Sequence, residues 1–543
     1  MEDLNVDKST GPDRLAAKLL KLCAHSLALP VAKLARIILQ TGTWSTCWKI
    51  HWVFPLHKRG PTFNRENYRG IHLTSQLSKV VERLLGRGFL SFLETTGAFG
   101  LNPFAYRKQR GYKDLLALNV MTWIWALHHK KKVGIYCSDV SGAFDKFERV
   151  RLIGKLRSKG LHGKFLSVLD SWLDNRTAQV IVEGAASAPH TLNNMVYQGT
   201  TWGPPLWNSF YEDASGAVRL AGFTDATFAD DLTCYQTYDS SLQNETIQEE
   251  LEECQRIVHR WGAANQVVFD ASKESLHVLH RQDPMGDDFR LLGVIFDSKL
   301  HMGTAIHDIV TQGSWKLTTL LRTKRYHTLP QMMNLYKSHV LSYLESKTPA
   351  LHHASKTTLE PLDNIQRRFL REMNVTSDAA LCHFNLAPLN ARRDMAMLGL
   401  MHRTTLGIGP PHFCEWFTFA TGPTTRTTRR RTRQHPWQLH DPVDSSHTEL
   451  LKRSVFGLIR VYNELDYDIV NTCSVQVFQH HLQDKLKRLA DSDPENWERA
   501  YDPERYRTHR RAAQQHQRGT HERLQQAQRQ QQQQQQQQHQ RQQ

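Results

Sequence analysis

The chain has 543 residues, which is more than one hydrophobic core holds, so we expect several domains or one large multi-lobed enzyme. Its formal net charge of +16 favours a polyanionic partner, with nucleic acid ahead of a membrane surface. The eight cysteines form no Cys-x-x-Cys pair, which argues against a disulfide scaffold and a structural zinc site. No apolar run could span a bilayer, which argues against membrane insertion and secretion. Together these features favour an intracellular protein, nuclear or cytoplasmic.

The apolar spacing predicts mixed helices and strands, followed by a mainly helical stretch. In chain order, the predicted elements are helices over residues 11–40, an extended piece over 50–56, a helix over 75–93, a strand over 133–137, a helix from about 149, a strand over 180–182, a strand pair around 230, a helix over 246–265, strands near 276–279 and 291–296, and helices over 332–343 and 359–373. A basic cluster at residues 426–433 is equally consistent with a solvated linker and with contact to a nucleic acid backbone. The Arg- and Gln-rich residues 505–543 lack the apolar groups of a core, so we expect disorder or transient helix there.

Two adjacent aspartates, Asp230 and Asp231, interrupt two short apolar strands, and a tight turn would hold both carboxylates at a hairpin tip. Adjacent like charges repel, so a cation or water must stabilise them, and a solvated turn is the simplest explanation of this pair alone. Asp139 ends another buried strand, and a carboxylate at that point can meet the hairpin tip in an antiparallel sheet. Three converging carboxylates predict a site for two divalent cations, of which Mg²⁺ is the hard, oxygen-seeking candidate.

A series of motifs in the right order resembles the reverse transcriptases of non-LTR (LINE-like) retrotransposons, from just after Met1 to about residue 405. The resembling segments are residues 67–82 (finger motif), 104–108, 139–145 (first palm motif), 198–208 (template grip), 228–231 (Tyr/Phe-Ala-Asp-Asp motif), 271–275 (lysine motif) and 291–297 (primer grip), with thumb-like helices after them. Within the finger motif, Gly70 and His72 stand where the family usually has proline and serine, which leaves the local loop geometry open.

The resemblance implies an α+β right-hand polymerase, with fingers, a palm built on an antiparallel sheet, a helical thumb and a helical or disordered C-terminal extension. The corresponding divisions are residues 1–132 (N-terminal extension and fingers), 133–300 (palm), 301–406 (thumb and connection), 407–504 (basic region) and 505–543 (tail). It further implies an RNA-directed DNA polymerase, a nucleotidyltransferase that adds dNTPs to a DNA 3′-end on an RNA template. Two Mg²⁺ ions would serve as cofactors, with Mn²⁺ as a substitute, and RNA template, DNA primer or target and dNTPs would be the partners.

The resemblance also assigns roles to individual residues. The metal ligands would be Asp139, Val140, Asp230 and Asp231, and Lys273 would donate a proton to the leaving pyrophosphate. The substrate-binding residues would be Phe144 beneath the sugar, Gln198 and Gly199 in the nucleotide pocket, and Lys58, Arg69 and Arg107 at the triphosphate. Each role has a structural alternative. The aspartates could be ordinary turn carboxylates, the phenylalanine could pack in the core, the Gln-Gly pair could form a plain loop, and the basic residues could belong to a solvated surface.

Two other functions remain open from the sequence. A catalytically idle RNA-binding remnant would bind through the same basic cleft, although RNA binding alone requires no cluster of carboxylates. A group II intron-type maturase shares the polymerase palm, but the template-grip motif and the helices after residue 300 resemble the retrotransposon type more closely. The sequence shows no endonuclease, RNase H set or zinc knuckle, so we expect a fragment, a truncated reading frame or a decayed copy.

Overall fold

The computed structural model describes residues 1–58, 60–140, 148–192, 197, 199–420, 435–444 and 447–505. The chain divides into two compact units, one formed by Met1–Leu115 and Lys130–Asp287, the other by Leu116–His129 and Asp288–Gln543. The five-part division expected from the sequence stays a prediction. Within the described ranges, no helix has both the length and the apolar character to cross a membrane.

The secondary structure alternates in the first unit and is mainly helical in the second. The helices are α1 (Ala17–Leu22), α2 (Ala24–Thr41), α3 (Gln76–Thr95), α4 (Tyr112–His128), α5 (Arg149–Ser158), α6 (Gly163–Leu173), α7 (Gly203–Leu220), α8 (Asn244–Asn265), α9 (Gly303–Leu321), α10 (Leu329–Tyr336), α11 (Ser342–Glu345), α12 (Thr348–Leu351), α13 (Lys356–Met373), α14 (Ser377–Phe384), α15 (Leu389–Thr405), α16 (Glu449–Lys452), α17 (Val455–Asn463), α18 (Tyr467–Val470) and α19 (Val475–Ser492). The strands are β1 (Ile50–His57), β2 (Tyr68–Leu73), β3 (Lys132–Asp139), β4 (Arg176–Val182), β5 (Ala185–Ala186), β6 (His190–Leu192), β7 (Thr224–Phe228), β8 (Asp231–Tyr238), β9 (Ser275–Leu279), β10 (Phe289–Leu291) and β11 (Val294–Phe296).

A four-stranded antiparallel sheet with the order β7-β8-β3-β9 forms the centre of the first unit. Strand β3 is buried along nearly its whole length, which explains its continuous apolar sequence. Helix α8 packs closely on this strand at Gly134. A Cβ there would lie 2.9 Å from the side chain of Ile247 in α8 and 2.9 Å from that of Tyr238 in β8. The sheet and its helices therefore fix the end of β3, where Asp139 stands.

A second sheet of the first unit has the order β2-β1-β4-β5, with β6 also paired to β4. Gly70 and His72 lie inside β2, opposite Pro55 and Val53 of β1, so the departures from the family pattern fall in a strand and not in a loop. The Nδ1 atom of His72 lies 3.0 Å from Nδ1 of His51, and both rings are buried. Burial, together with the nearby guanidinium of Arg176, lowers the pKa of His72 to about 4, so the ring is neutral at physiological pH.

The second unit contains the hairpin of β10 and β11 and the helices from α9 onward. Tyr336 of α10 stacks on Phe369 of α13, with ring centroids 4.1 Å apart and planes 8° apart. The buried Arg393 of α15 forms two hydrogen bonds to the carboxylate of Asp363 on α13, at 2.7 and 3.0 Å. Stacked rings and a buried, bidentate ion pair thus join the helices of this unit.

Most elements predicted from apolar spacing are confirmed, including the strand that ends at Asp139 and the strand pair around Asp230. Two predicted helices differ in continuity. The helical stretch expected over residues 11–40 begins only at Ala17 and is interrupted at Cys23, whose backbone is not helical. The helix expected over residues 332–343 contains a π-helical segment at Lys337–Leu341. Residues 426–433 and 506–543 lie outside the described residues.

The tight approach of α8 to β3 predicts opposite effects of two glycine-to-alanine changes. Gly134→Ala inserts a methyl group into a packed interface and lowers the free energy of unfolding of the first unit by about 1–3 kcal/mol. Gly154→Ala, the matched control in α5, has nothing within 4 Å of its added Cβ and raises it by up to about 1 kcal/mol. Denaturant unfolding of the full chain measures both, and equal effects of the two variants would contradict the packing described.

Candidate active site

Three carboxylates meet at one end of the four-stranded sheet. The register of β3 and β8 places Asp139 directly opposite Asp231. The β7–β8 hairpin pairs Phe228 with Asp231, so only Ala229 and Asp230 form its turn. The convergence expected from the sequence is therefore confirmed for Asp139, Asp230 and Asp231, because antiparallel pairing brings the end of one strand beside the start of the next.

The clustering of like charges changes the protonation of two of these acids. Burial, the charge of Asp230 and the charge of Asp139 raise the pKa of Asp231 to about 7. Burial and the charge of Asp139 likewise raise the pKa of Asp230 above its ordinary value. Carboxylates that share a site cannot all ionise freely without a cation, so without a metal ion Asp231 binds a proton more readily than an isolated aspartate does.

Lys273 reaches this cluster from the loop before β9. Its ammonium group pairs with the carboxylate of Asp139 and lies 3.4 Å from that of Asp270. Burial lowers the pKa of Lys273, but the hydrogen bonds and charges of Asp139 and Asp270 outweigh this effect, and the pKa is raised. The side chain is therefore a charged ammonium that has a proton to donate.

The Lys273 loop is fixed on both sides. The backbone N–H of Asp270 donates to the carbonyl of Asp139 at 2.9 Å, which ties the loop to the end of β3. The neighbouring Glu274 accepts a hydrogen bond from the Tyr136 hydroxyl at 2.7 Å, and its carboxylate lies 2.7 Å from Nε2 of His259. Lys273 thus stands on a rigid support beside the acids.

Gly199 lies against the second sheet in a conformation that only glycine adopts readily. Its φ is +108°, and a Cβ at this position would lie 2.7 Å from the carbonyl oxygen of His72. A glycine is therefore required at this position for the close approach to β2. Its contact with a nucleotide stays a prediction.

The loop after Gly199 is held by a buried acid, Glu82 of α3. The Glu82 carboxylate accepts hydrogen bonds from the backbone N–H of Thr201 at 2.8 Å and from Nε1 of Trp172 at 3.2 Å. Its backbone carbonyl accepts from Nε1 of Trp202 at 2.7 Å. Sequence reasoning assigned no role to Glu82, although an acid among the apolar positions of an amphipathic helix is a signal that it has buried partners.

The three basic residues expected at the triphosphate have different surroundings. Arg69 is exposed on β2. It lies close enough to Asp230 and Tyr106 for its charge to oppose the rise in the pKa of each group. Lys58 is exposed just after β1. The guanidinium of Arg107 is buried and engaged by Glu94 at 2.5 Å and by the carbonyl of Gly100 at 2.7 Å. Of the three, Arg69 lies close enough to the acids to affect the pKa of Asp230.

Tyr106 lies near the acids, and sequence reasoning assigned it no role. It is half exposed, and burial together with the charge of Asp230 raises the pKa of its phenol, while Arg69 opposes this shift. Its φ of +59° is uncommon for a residue with a side chain. The sequence signal for such a role was its place in residues 104–108, which resemble a motif of the family. Phe144 and Gln198, by contrast, lie outside the described residues.

The acidic cluster has the chemistry of a divalent-cation site, since carboxylate oxygens are the ligands that Mg²⁺ and Mn²⁺ prefer. In the part of the chain that the structure describes, no three His, Cys, Asp or Glu side chains stand in a ready-made metal geometry. The oxygens of Asp139 are instead engaged by the Lys273 ammonium and by a hydrogen bond with Asp231. Val140 is buried after β3 and bridges to Phe269.

Part of the chain is similar to a known family of polymerases. Residues 56–296 match the family "Reverse transcriptase (RNA-dependent DNA polymerase)". The chain is 24% identical over 391 residues to the RNA-directed DNA polymerase from mobile element jockey of Drosophila funebris, and 26% identical over 402 residues to that of Drosophila melanogaster, covering 68% of this chain in each case. It is 25% identical over 349 residues to a probable RNA-directed DNA polymerase from transposon X-element of Drosophila melanogaster, covering 61% of this chain and 38% of that protein.

The chain spans 42% of the length of the two jockey relatives. Among solved structures, apo telomerase from Candida tropicalis aligns with a TM-score of 0.37 and 11% identity, over 71% of this chain and 68% of that one. Enzymes of the matched family generally use divalent metal ions. The α+β architecture and the carboxylates at the strand ends agree with a right-hand polymerase fold. Residues 56–296 thus form a reverse transcriptase domain, as the family match shows.

Proposed function

We propose that this chain acts as an RNA-directed DNA polymerase that adds dNTPs to a DNA 3′-end on an RNA template. The observation that carries the proposal is the register of β3 and β8, which sets Asp139 against Asp231, with Asp230 in the adjoining turn. A basic protein has no need of such a cluster to bind RNA alone. The eight cysteines, all of them free, also favour action inside the cell, in the nucleus or the cytoplasm.

The three aspartates, with the backbone carbonyl of Val140, would hold two Mg²⁺ ions, with Mn²⁺ as a substitute. When bound, such ions make the 3′-hydroxyl a better nucleophile and neutralise charge on the phosphates. The 3′-hydroxyl gives up its proton to solvent and its oxygen forms a bond to the α-phosphorus, while the bond from this phosphorus to the bridging oxygen of the β-phosphate breaks and pyrophosphate leaves. Lys273 would give its proton to the departing pyrophosphate, for which its ammonium must leave Asp139.

The remaining residues would position the substrates. Arg69 would contact the triphosphate, with Lys58 and Arg107 as further candidates. Gly199 and Gln198 would line the nucleotide pocket, and Phe144 would exclude a 2′-hydroxyl. The loop of Gly199 is held by buried hydrogen bonds, which supports a role that needs a defined backbone position.

Loss of one carboxylate charge tests the proposal. Asp230→Asn keeps the side-chain volume but weakens cation binding. We therefore expect Mg²⁺-dependent dNTP incorporation on an RNA template to fall by more than about 100-fold. The loss of a partner that merely orients a metal ligand already changes activity or affinity about 10- to 100-fold. Asp239→Asn, an exposed acid just after β8, is the matched control and should leave the rate unchanged. RNA binding without incorporation by the unmodified protein would instead favour an idle remnant.

The raised pKa of Asp231 predicts a pH-dependent stability. Its pKa is about 7 in the folded, metal-free protein, against an ordinary 3.8 in the unfolded chain. Between these values the folded state holds a proton that the unfolded state has released, so the free energy of unfolding falls as the pH rises through 7. Asp231→Asn removes this loss, so in EDTA we expect it to raise the thermal midpoint of the protein by a few degrees at pH 8 and by less at pH 5. Excess Mg²⁺ should stabilise the unmodified protein more than the variant, which lacks one of the proposed ligands. A midpoint difference that does not vary with pH would contradict the assignment.

A further inference from the structure

Two neighbouring side chains of α7 reach backbone carbonyls beside the acidic cluster. Nε1 of Trp207 donates a hydrogen bond to the carbonyl of Ala229 at 2.7 Å, and Nδ2 of Asn208 donates to the carbonyl of Ala105 at 2.8 Å. Both donor side chains are almost fully buried. A buried carbonyl needs a hydrogen-bond partner, and here the partners come from one rigid helix.

The carbonyl that Trp207 holds belongs to an unusual residue. Ala229 has a φ of +59°, in the left-handed region that disfavours any residue with a Cβ. It is also the residue immediately before Asp230 and half of the two-residue turn of the β7–β8 hairpin. The orientation of the Ala229 peptide therefore decides where the Asp230 carboxylate stands.

The indole ring of Trp207 is itself fixed in place. It stacks on Tyr211, one turn further along α7, with centroids 5.1 Å apart and planes 19° apart. The neighbouring Asn208 ties residue 105 to the same helix, and the backbone N–H of Phe104 donates to the carbonyl of Thr227 at 3.0 Å. The hairpin is thus supported from α7 and from the segment before α4.

We propose that Trp207 is a positioning residue, whose indole N–H holds the left-handed Ala229 turn and thereby sets Asp230 for cation binding. This inference rests on the proposed function, because it assumes that Asp230 binds a divalent ion. It is specific to the N–H group, because a phenylalanine at position 207 fills most of the same space and stacks on Tyr211 but cannot donate a hydrogen bond.

The test compares Mn²⁺ binding by the full-length protein and its Trp207→Phe variant, measured from the electron paramagnetic resonance signal of free Mn²⁺. We expect the dissociation constant of Mn²⁺ to rise about tenfold, the lower end of the effect seen when a partner that orients a metal ligand is lost. Trp261→Phe is the matched control. It removes another buried indole donor of the same unit, which lies 2.9 Å from Asp213, and should leave Mn²⁺ binding within about twofold, because Asp213 is not among the proposed ligands.

A second substitution distinguishes positioning from general loosening of the core. Ala229→Gly removes the steric penalty of the left-handed turn, because glycine adopts positive φ freely. Added to Trp207→Phe, it should recover at least half of the lost Mn²⁺ affinity on a logarithmic scale, while it should change the binding by the unmodified protein little. A core defect at position 207 would gain nothing from a glycine at position 229.

The outcomes separate this inference from the proposed function. If the unmodified protein binds Mn²⁺ and Trp207→Phe binds it as well as Trp261→Phe does, the positioning role is wrong and the proposed function stands. If Trp207→Phe weakens binding but Ala229→Gly restores none of it, the role assigned to the turn is wrong. If the unmodified protein binds no Mn²⁺, the proposed metal site fails, and the inference fails with it.

Discussion

The antiparallel pairing of β3 with β8 is the constraint on which the rest of the site depends. Its register sets Asp139 opposite Asp231, and the two-residue turn that follows β7 adds Asp230. A shift of one residue would turn one of these side chains to the other face of the sheet. The buried, uninterrupted β3 fixes this register, because it is enclosed by β8 and β9 on its two edges and by α8 on one face.

This pairing brings together charges that repel one another. The repulsion appears as the raised pKa values of Asp230 and Asp231, and Lys273 partly offsets it through Asp139. A site with no function would be more stable with fewer acids, so the cluster is a local cost to stability that cation binding would remove. The supports that maintain it are buried donors such as Trp207, which binds the carbonyl of the left-handed Ala229 in the turn.

The sequence predicted the strand ends well and their supports poorly. Apolar runs that stop at Asp139 and around Asp230 were enough to place the three acids, because strand period and antiparallel pairing leave few alternatives. The indole of Trp207 could not be assigned as a donor, since its partner is a backbone carbonyl more than twenty residues away whose orientation depends on a turn conformation. The sequence also did not indicate that Lys273 pairs with Asp139, or that Gly70 and His72 lie inside a strand, because these features depend on contacts between residues far apart in the chain.

The most direct test of the central claim is anomalous X-ray diffraction from crystals of the protein grown with Mn²⁺. If Asp139, Asp230 and Asp231 form a two-ion site, two anomalous peaks should lie among their carboxylates, with the Lys273 ammonium displaced from Asp139. Well-ordered carboxylates without a peak between them, and Lys273 still paired with Asp139 at saturating Mn²⁺, would contradict the account.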